Sequence, residues 1–253
     1  MLTQYTTRTQ QLLQNPAANN ALYATSDIQN WVNQARGWVA ADGECLRVQG
    51  TLALTQGQRV YSFSSINLGT ASSNGVQGAI RIEQILLTVA SGYTWMRPRP
   101  FPWFTVYRLN NPTPAQQQPT EWSQYGQGSA PQPNTQLAGS GGSIYVDPVP
   151  DQAYTLWVDC LCYPLALASD SDPEALPYLF TDAVAYYAAY LALLSAQTNA
   201  RQADAQRYFS IYQEFINKAR RAATPSVYPT GFVGAPDLTL GNKLGIQSRA
   251  GAG

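Results

Sequence analysis

The chain has 253 residues, enough for one large domain or two small ones, so a mini-protein held together by staples is excluded. Charged side chains make up 12% of it, against about 25% in an ordinary soluble domain. The 15 basic and 15 acidic groups cancel, leaving no field for gripping nucleic acid or an anionic membrane, and the absence of histidine removes Ser-His-Asp and Cys-His nucleophiles, histidine bases and mixed-ligand zinc sites.

The first eight residues, Met1 to Arg8, are polar and lack the apolar core of a signal peptide, which argues against secretion. A short helix is expected from Arg8 to Gln14, closed by Asn15-Pro16. Ser26 and Gln29 have the spacing of a capping box, and Ile28, Trp31, Val32, Ala35, Trp38 and Val39 recur at three- and four-residue steps. That spacing predicts an amphipathic helix from about Asp27 to Ala41, ended by Gly43.

From Leu46 to Pro164 the pattern changes to period two with turn punctuation, the signature of antiparallel strands. Candidate strands run through Leu46-Val48-Gly50, Val60 to Phe63, Ile80 to Val89, Phe104 to Leu109, Ser143 to Val146 and Tyr154 to Tyr163. In the last, Tyr154, Leu156, Val158, Cys160 and Cys162 share one face and Thr155, Trp157, Asp159, Leu161 and Tyr163 the other. Asn110 to Pro119 and Gly126 to Gly142 read as long loops.

Helical periodicity returns after Asp170. Asp172 with Pro173, and then Pro177, mark two helix starts leading into Val184, Tyr187, Ala188, Leu191 and Leu194. The longest apolar run, Ala183 to Leu194, is too short for a membrane span and reads as a buried helix. A break at Thr198-Asn199 precedes a stripe of Tyr208, Phe209, Tyr212, Phe215, Ile216 and Ala219, so the two stretches form either a hairpin or one broken helix. The helix around Trp31 is their expected partner. The fold class expected is α+β: a helical domain from residues 1–44 and 166–223, a β-sandwich or small barrel inserted over 45–165, and an extended arm over 224–253.

Candidate chemistry is sparse, and no cofactor or metal is expected. Cys45, Cys160 and Cys162 fall one thiolate short of a four-cysteine site and read as small buried hydrophobes. Glu121, Asp147, Asp151 and Asp159 are the carboxylates that a glycosidase pair would need, although turn chemistry accounts for Asp147 and Asp151 as well. Arg97-Pro98-Arg99-Pro100-Phe101-Pro102-Trp103 mixes guanidinium and aromatic groups and reads first as a rigid surface loop paired with a nearby carboxylate or ring. Arg220-Arg221 suits a helix C-terminus. Trp95, Trp103, Trp122 and Trp157 are open to two readings, a carbohydrate surface or packing.

The order of these segments carries a resemblance. A Trp-bearing helix, a β insertion, Trp122-Ser123-Gln124-Tyr125-Gly126, Ile144-Tyr145-Val146-Asp147-Pro148-Val149-Pro150-Asp151 and Tyr154-Thr155-Leu156-Trp157-Val158 precede Pro164-Leu165, then Asp170 to Pro177 and an Ala/Tyr-rich helix. From about Ile28 to Ala219 the chain resembles tailed-phage head-to-tail adaptor proteins. The resemblance implies a non-enzymatic virion protein: a dodecameric ring beneath the portal that lines the genome channel, passes double-stranded DNA without reading its sequence, and presents a surface to a tail, nozzle or fibre protein. It also implies assembly in the host cytoplasm, no membrane insertion, and a C-terminal extension that docks on the portal. Val227, Tyr228, Phe232, Val233, Leu238, Leu240, Leu244 and Ile246 are the apolar residues of the arm that suit that contact. The long Gly126 to Gly142 loop departs from the pattern. The rival reading is a carbohydrate-binding or carboxylate-dependent glycan-cleaving tail protein.

Overall fold

The computed structural model describes residues 1–15, 22–69, 75–90, 92–110, 116–128, 141–195 and 201–223, and the fold is α+β. Two four-stranded sheets are built from β1 (Arg47–Leu54), β2 (Val60–Ser62), β3 (Val76–Val89), β4 (Gly92–Trp95), β5 (Arg97–Pro98), β6 (Glu121–Tyr125), β7 (Ser143–Asp147) and β8 (Tyr154–Pro164). The first sheet has the order β1-β8-β3-β4 and is antiparallel throughout. The second has the order β2-β7-β6-β5, with β5 parallel to β6. Period-two alternation sorts the first sheet cleanly: Leu52, Leu156 and Leu87 sit in one buried row, and Val158 and Ile85 in the next. One cluster of buried side chains takes in these residues, Ile144 and Val146 of the second sheet, and the helices.

The helices are α1 (Leu2–Leu13), α2 (Thr25–Gly43), α3 (Phe101–Asn110), α4 (Thr181–Ser195) and α5 (Gln202–Ala223). Of the two arrangements left open for the last pair, the structure has α4 and α5 packed side by side, with Tyr187 against Tyr212 and Tyr190 against Phe209 at ring-centroid distances of 4.4 and 4.9 Å. Both contact α2, whose Asp42 carboxylate accepts the Tyr212 hydroxyl at 2.8 Å. The break at Thr198-Asn199 lies outside the described residues, as do residues 224–253 and Pro16.

Several local expectations are corrected. Phe104 to Leu109 is the second half of α3 rather than a strand, because Phe101 and Phe104 recur one turn apart and both pack on Tyr145 of β7. A six-residue apolar alternation fits either period, and this contact selects the helix. Asp172-Pro173 starts no helix. The Asp172 carboxylate instead accepts the N–H groups of Ala168 and Ser169 at 2.6 and 2.7 Å, which closes a turn and holds its pKa below the usual range. The helix begins after Pro177, through a 3-10 turn at Tyr178–Phe180. Ser26 and Gln29 form no capping box, since α2 starts two residues earlier, after Ala24. There the buried Asn15 side chain accepts from the N–H of Leu22 and donates to the Tyr23 carbonyl. Gly43 lies inside α2: a methyl group on it would sit 3.1 Å from the Ala219 Cβ of α5, so its role is close approach, and Glu44 takes the left-handed position at φ 51°. Gly126 and Gly142 pinch the base of the long loop, whose residues 129–140 lie outside the description. A Cβ on Gly126 would meet the Gly141 carbonyl at 2.6 Å, and one on Gly142 would meet the Phe63 ring at 2.3 Å.

Arg36 and Glu174 join these parts. Arg36 of α2 has no exposed surface, and its guanidinium donates to the Glu174 carboxylate through Nη2 and Nε at 2.8 and 3.1 Å and to the Leu165 carbonyl at 2.6 Å. One turn earlier, the Asn33 side chain accepts the Leu167 N–H and donates to the Leu167 carbonyl. The segment leaving β8 is thereby fixed along α2. It then presents Asp170 to the start of α1, where the carboxylate accepts the Thr3 N–H at 2.7 Å and the Thr3 hydroxyl, so α1 begins at Leu2 rather than near Arg8.

Breaking a buried pair leaves an uncompensated charge, so Arg36→Met is expected to cost about 3–5 kcal/mol in urea unfolding. Adding Glu174→Leu should return part of it, a coupling of about 2 kcal/mol. The contacts from Thr3 hold the Asp170 carboxyl down to about 2. A depressed carboxylate stabilises above its unfolded value of about 3.9 and loses that contribution as pH falls. Thermal unfolding of Asp170→Asn should therefore fall below wild type near neutrality and converge with it as the pH approaches about 2.

Candidate functional site

The outer face of the first sheet carries an exposed aromatic patch. Trp157 on β8, Leu86 on β3 and Trp95 on β4 stand in one row, and Thr155, Thr88 and Tyr93 stand in the next. Tyr93 and Trp95 are 62% and 53% exposed, and the Tyr93 ring meets Trp157 edge-on with centroids 6.3 Å apart. Farther along the same face Asp159 pairs with Arg47, and Arg81 pairs with Glu83 and with Glu44 beyond the end of α2. The patch is apolar and its neighbouring charges are neutralised in place.

On the second sheet Glu121 and Asp147 are direct cross-strand partners, so the structure brings together two of the four carboxylates singled out in the sequence. Each is committed to an arginine. Arg99 donates to Glu121 at 2.6 and 2.9 Å while lying over the Trp103 ring, as the Arg/Pro/aromatic segment led one to expect, although that segment is strand β5 and the start of α3 rather than a loop. Arg59 donates to Asp147 at 2.5 Å and lies over Phe104 of α3. Burial raises the Asp147 pKa, Arg59 opposes it, and the neighbouring Glu121 adds to the rise. Asp151 accepts the Tyr154 hydroxyl at 2.8 Å, and Asp159 stands in the other sheet.

The four tryptophans do not form one platform. Trp122 is buried beneath the second sheet, Trp103 is stacked on Arg99, and only Trp95 and Trp157 share a face. Cys160 and Cys162 are buried on one face of β8, and the neighbouring thiol together with burial pushes the Cys160 pKa upward. Burial pushes Cys45 up to about 11. Among the described residues no group of three or more Cys, Asp or Glu could hold a metal ion, and no helix is long and apolar enough to cross a membrane. Arg220 lies in the last turn of α5 and donates to the Asp42 carbonyl at 2.5 Å. The arm residues Val227, Tyr228, Phe232, Val233, Leu238, Leu240, Leu244 and Ile246 all lie outside the described residues.

Sequence reasoning overlooked Tyr93 and also Tyr178 and Leu179, which are 83% and 73% exposed on the 3-10 turn before α4. Two large apolar residues after Pro177 were a readable signal, but they were absorbed into the helix start.

The family model of the SU10 adaptor protein matches residues 2–231. No curated protein matches the chain. The chain belongs to the SU10 adaptor family and is a phage head-to-tail adaptor, a structural component of the virion neck.

The buried Arg59–Asp147 pair gives a test with a pH signature. A carboxyl whose folded pKa is raised favours the folded state while protonated, and that advantage is lost as pH rises through the folded value. Removing its cation raises that value further. Arg59→Met should therefore cost about 3 kcal/mol in urea unfolding at about pH 7, and progressively less as the pH is lowered and Asp147 takes up a proton.

Proposed function

We propose that the chain forms a homo-oligomeric ring, a dodecamer, between the portal and the tail, with the residues after Ala223 reaching the portal and the ring continuing the genome channel. Family membership over residues 2–231 carries this reading. The charge pattern supports it. A wall past which double-stranded DNA moves must not hold phosphates, because each cation that neutralises a phosphate adds affinity. Arg8, Arg36, Arg47, Arg59, Arg81 and Arg99 each face a carboxylate of their own chain, and the chain as a whole is neutral. Ring subunits also bury unlike surfaces head to tail, and exposed aromatics such as Tyr178 and Tyr125 with only two lysines suit such contacts. The helical parts 1–44 and 166–223 would form one domain of the subunit and 45–165 the other. Assembly takes place in the host cytoplasm, and the lower surface receives a tail, nozzle or fibre protein.

The arm residues Val227, Tyr228, Phe232, Val233, Leu238, Leu240, Leu244 and Ile246 are assigned to the portal contact on their apolar character alone. The experiment is the mass of the purified protein with and without portal rings, for the full chain and for a chain ending at Ala223. The full chain should join the portal in a ring-sized complex and the shortened one should not. A full chain that stays monomeric and indifferent to portal would overturn the ring, and equal binding by both chains would overturn the anchoring role of the arm.

A further inference from the structure

Sheet edges expose unpaired N–H and C=O groups, and folded proteins close them with prolines, side chains or covering segments. Three of the four edges here are managed in that way. Along β1, Thr51 pairs with Asn67, and Ile66 and Leu68 press so close to Gly50 that a Cβ there would meet them at 2.7 and 2.9 Å. On β2 the Gln58 side chain donates to the Val60 carbonyl at 2.8 Å. Strand β5 is two residues long and ends in Pro98. Strand β4 has no such device among the described residues: Gly92, Tyr93, Thr94 and Trp95 are all exposed, with no charge and no proline.

The ladder parity says which groups are free. Met96 donates its N–H to the Ile85 carbonyl, and Thr94 stands opposite Leu87, so Thr94 turns its backbone groups inward toward β3. Tyr93 and Trp95 then direct theirs outward from the sheet. An antiparallel copy of the same strand, centred on Thr94, would place Tyr93 opposite Trp95 and Trp95 opposite Tyr93. All four outward donors and acceptors would pair, and each tyrosine ring would lie beside a tryptophan on one face. Trp157 already props Tyr93 edge-on. The ion pairs Arg47–Asp159 and Arg81–Glu83 on the same face are closed within the chain, and β4 itself carries no charge to oppose a second copy; Arg97, the next charge along the chain, lies beyond the paired residues in β5.

We propose that β4 pairs with β4 of a second copy across a twofold axis at Thr94, joining two four-stranded sheets into one of eight. The contact is isologous and closes after two copies, so it is separate from any head-to-tail contact that builds a ring and stands whether or not the ring reading holds.

Sedimentation of the purified full chain, without portal, should show a mass rising toward that of a dimer with concentration. Tyr93→Lys with Trp95→Lys should weaken that association about tenfold or more. Because Thr94 faces its own symmetry mate in a non-hydrogen-bonded pair, Thr94→Cys should form an intermolecular disulfide under mild oxidation that the wild type does not. Amide exchange at Tyr93 and Trp95 should slow as concentration rises. A chain that is monomeric at every concentration would overturn the proposal, as would a dimer that ignores the two lysines and does not cross-link at position 94. Equal protection of both amides at all dilutions would also overturn it, showing another segment of the same chain on the edge.

Discussion

A single buried guanidinium organises the junction between helices and sheets. Arg36 brings a positive charge into a site with no exposed surface, where an unpaired ion would cost several kcal/mol. Its partners are therefore fixed in position: the Glu174 carboxylate and the Leu165 carbonyl must stay on α2. Because Leu165 follows β8 and Glu174 precedes α4, the same contact sets how the central strand of the first sheet leaves it and where the C-terminal helices begin. Asp170 lies between these two anchors, and its position at the start of α1 follows from them.

Elsewhere the chain uses its few charges in the same way. Arg59 with Asp147, and Arg99 with Glu121, place two ion pairs side by side on the second sheet, each guanidinium covered by an aromatic ring of α3. A planar cation can satisfy a carboxylate and lie flat on a ring at once, which a lysine ammonium does less well, and this agrees with a chain that has thirteen arginines among its 15 basic residues. On the second sheet both of these arginines are thereby neutralised, while the aromatics Tyr93, Trp95, Tyr178 and Tyr125 remain exposed.

The carboxylates show how far residue type alone can mislead. Glu121 and Asp147 are as close in the fold as a catalytic pair would have to be, and no spacing in the sequence announced it, since 26 residues separate them along the chain. What the structure adds is that each faces an arginine, which turns a pair of acids into two neutral contacts.

Period and composition by themselves determined the α+β class, the helices around Trp31, Tyr187 and Tyr212, the strands from Ile80 to Val89 and Tyr154 to Tyr163, and the burial of Cys160 and Cys162. Each rests on side-chain periodicity, a property of neighbours in the chain. Helix limits and special positions were decided by residues far away. The start of α1 depends on Asp170, the glycine at position 43 on Ala219, the helical state of Phe104 on Tyr145, and the pairing of Arg36 on Glu174. Capping, close approach and charge compensation are satisfied by whichever group the fold delivers, and only the packed chain specifies which one that is.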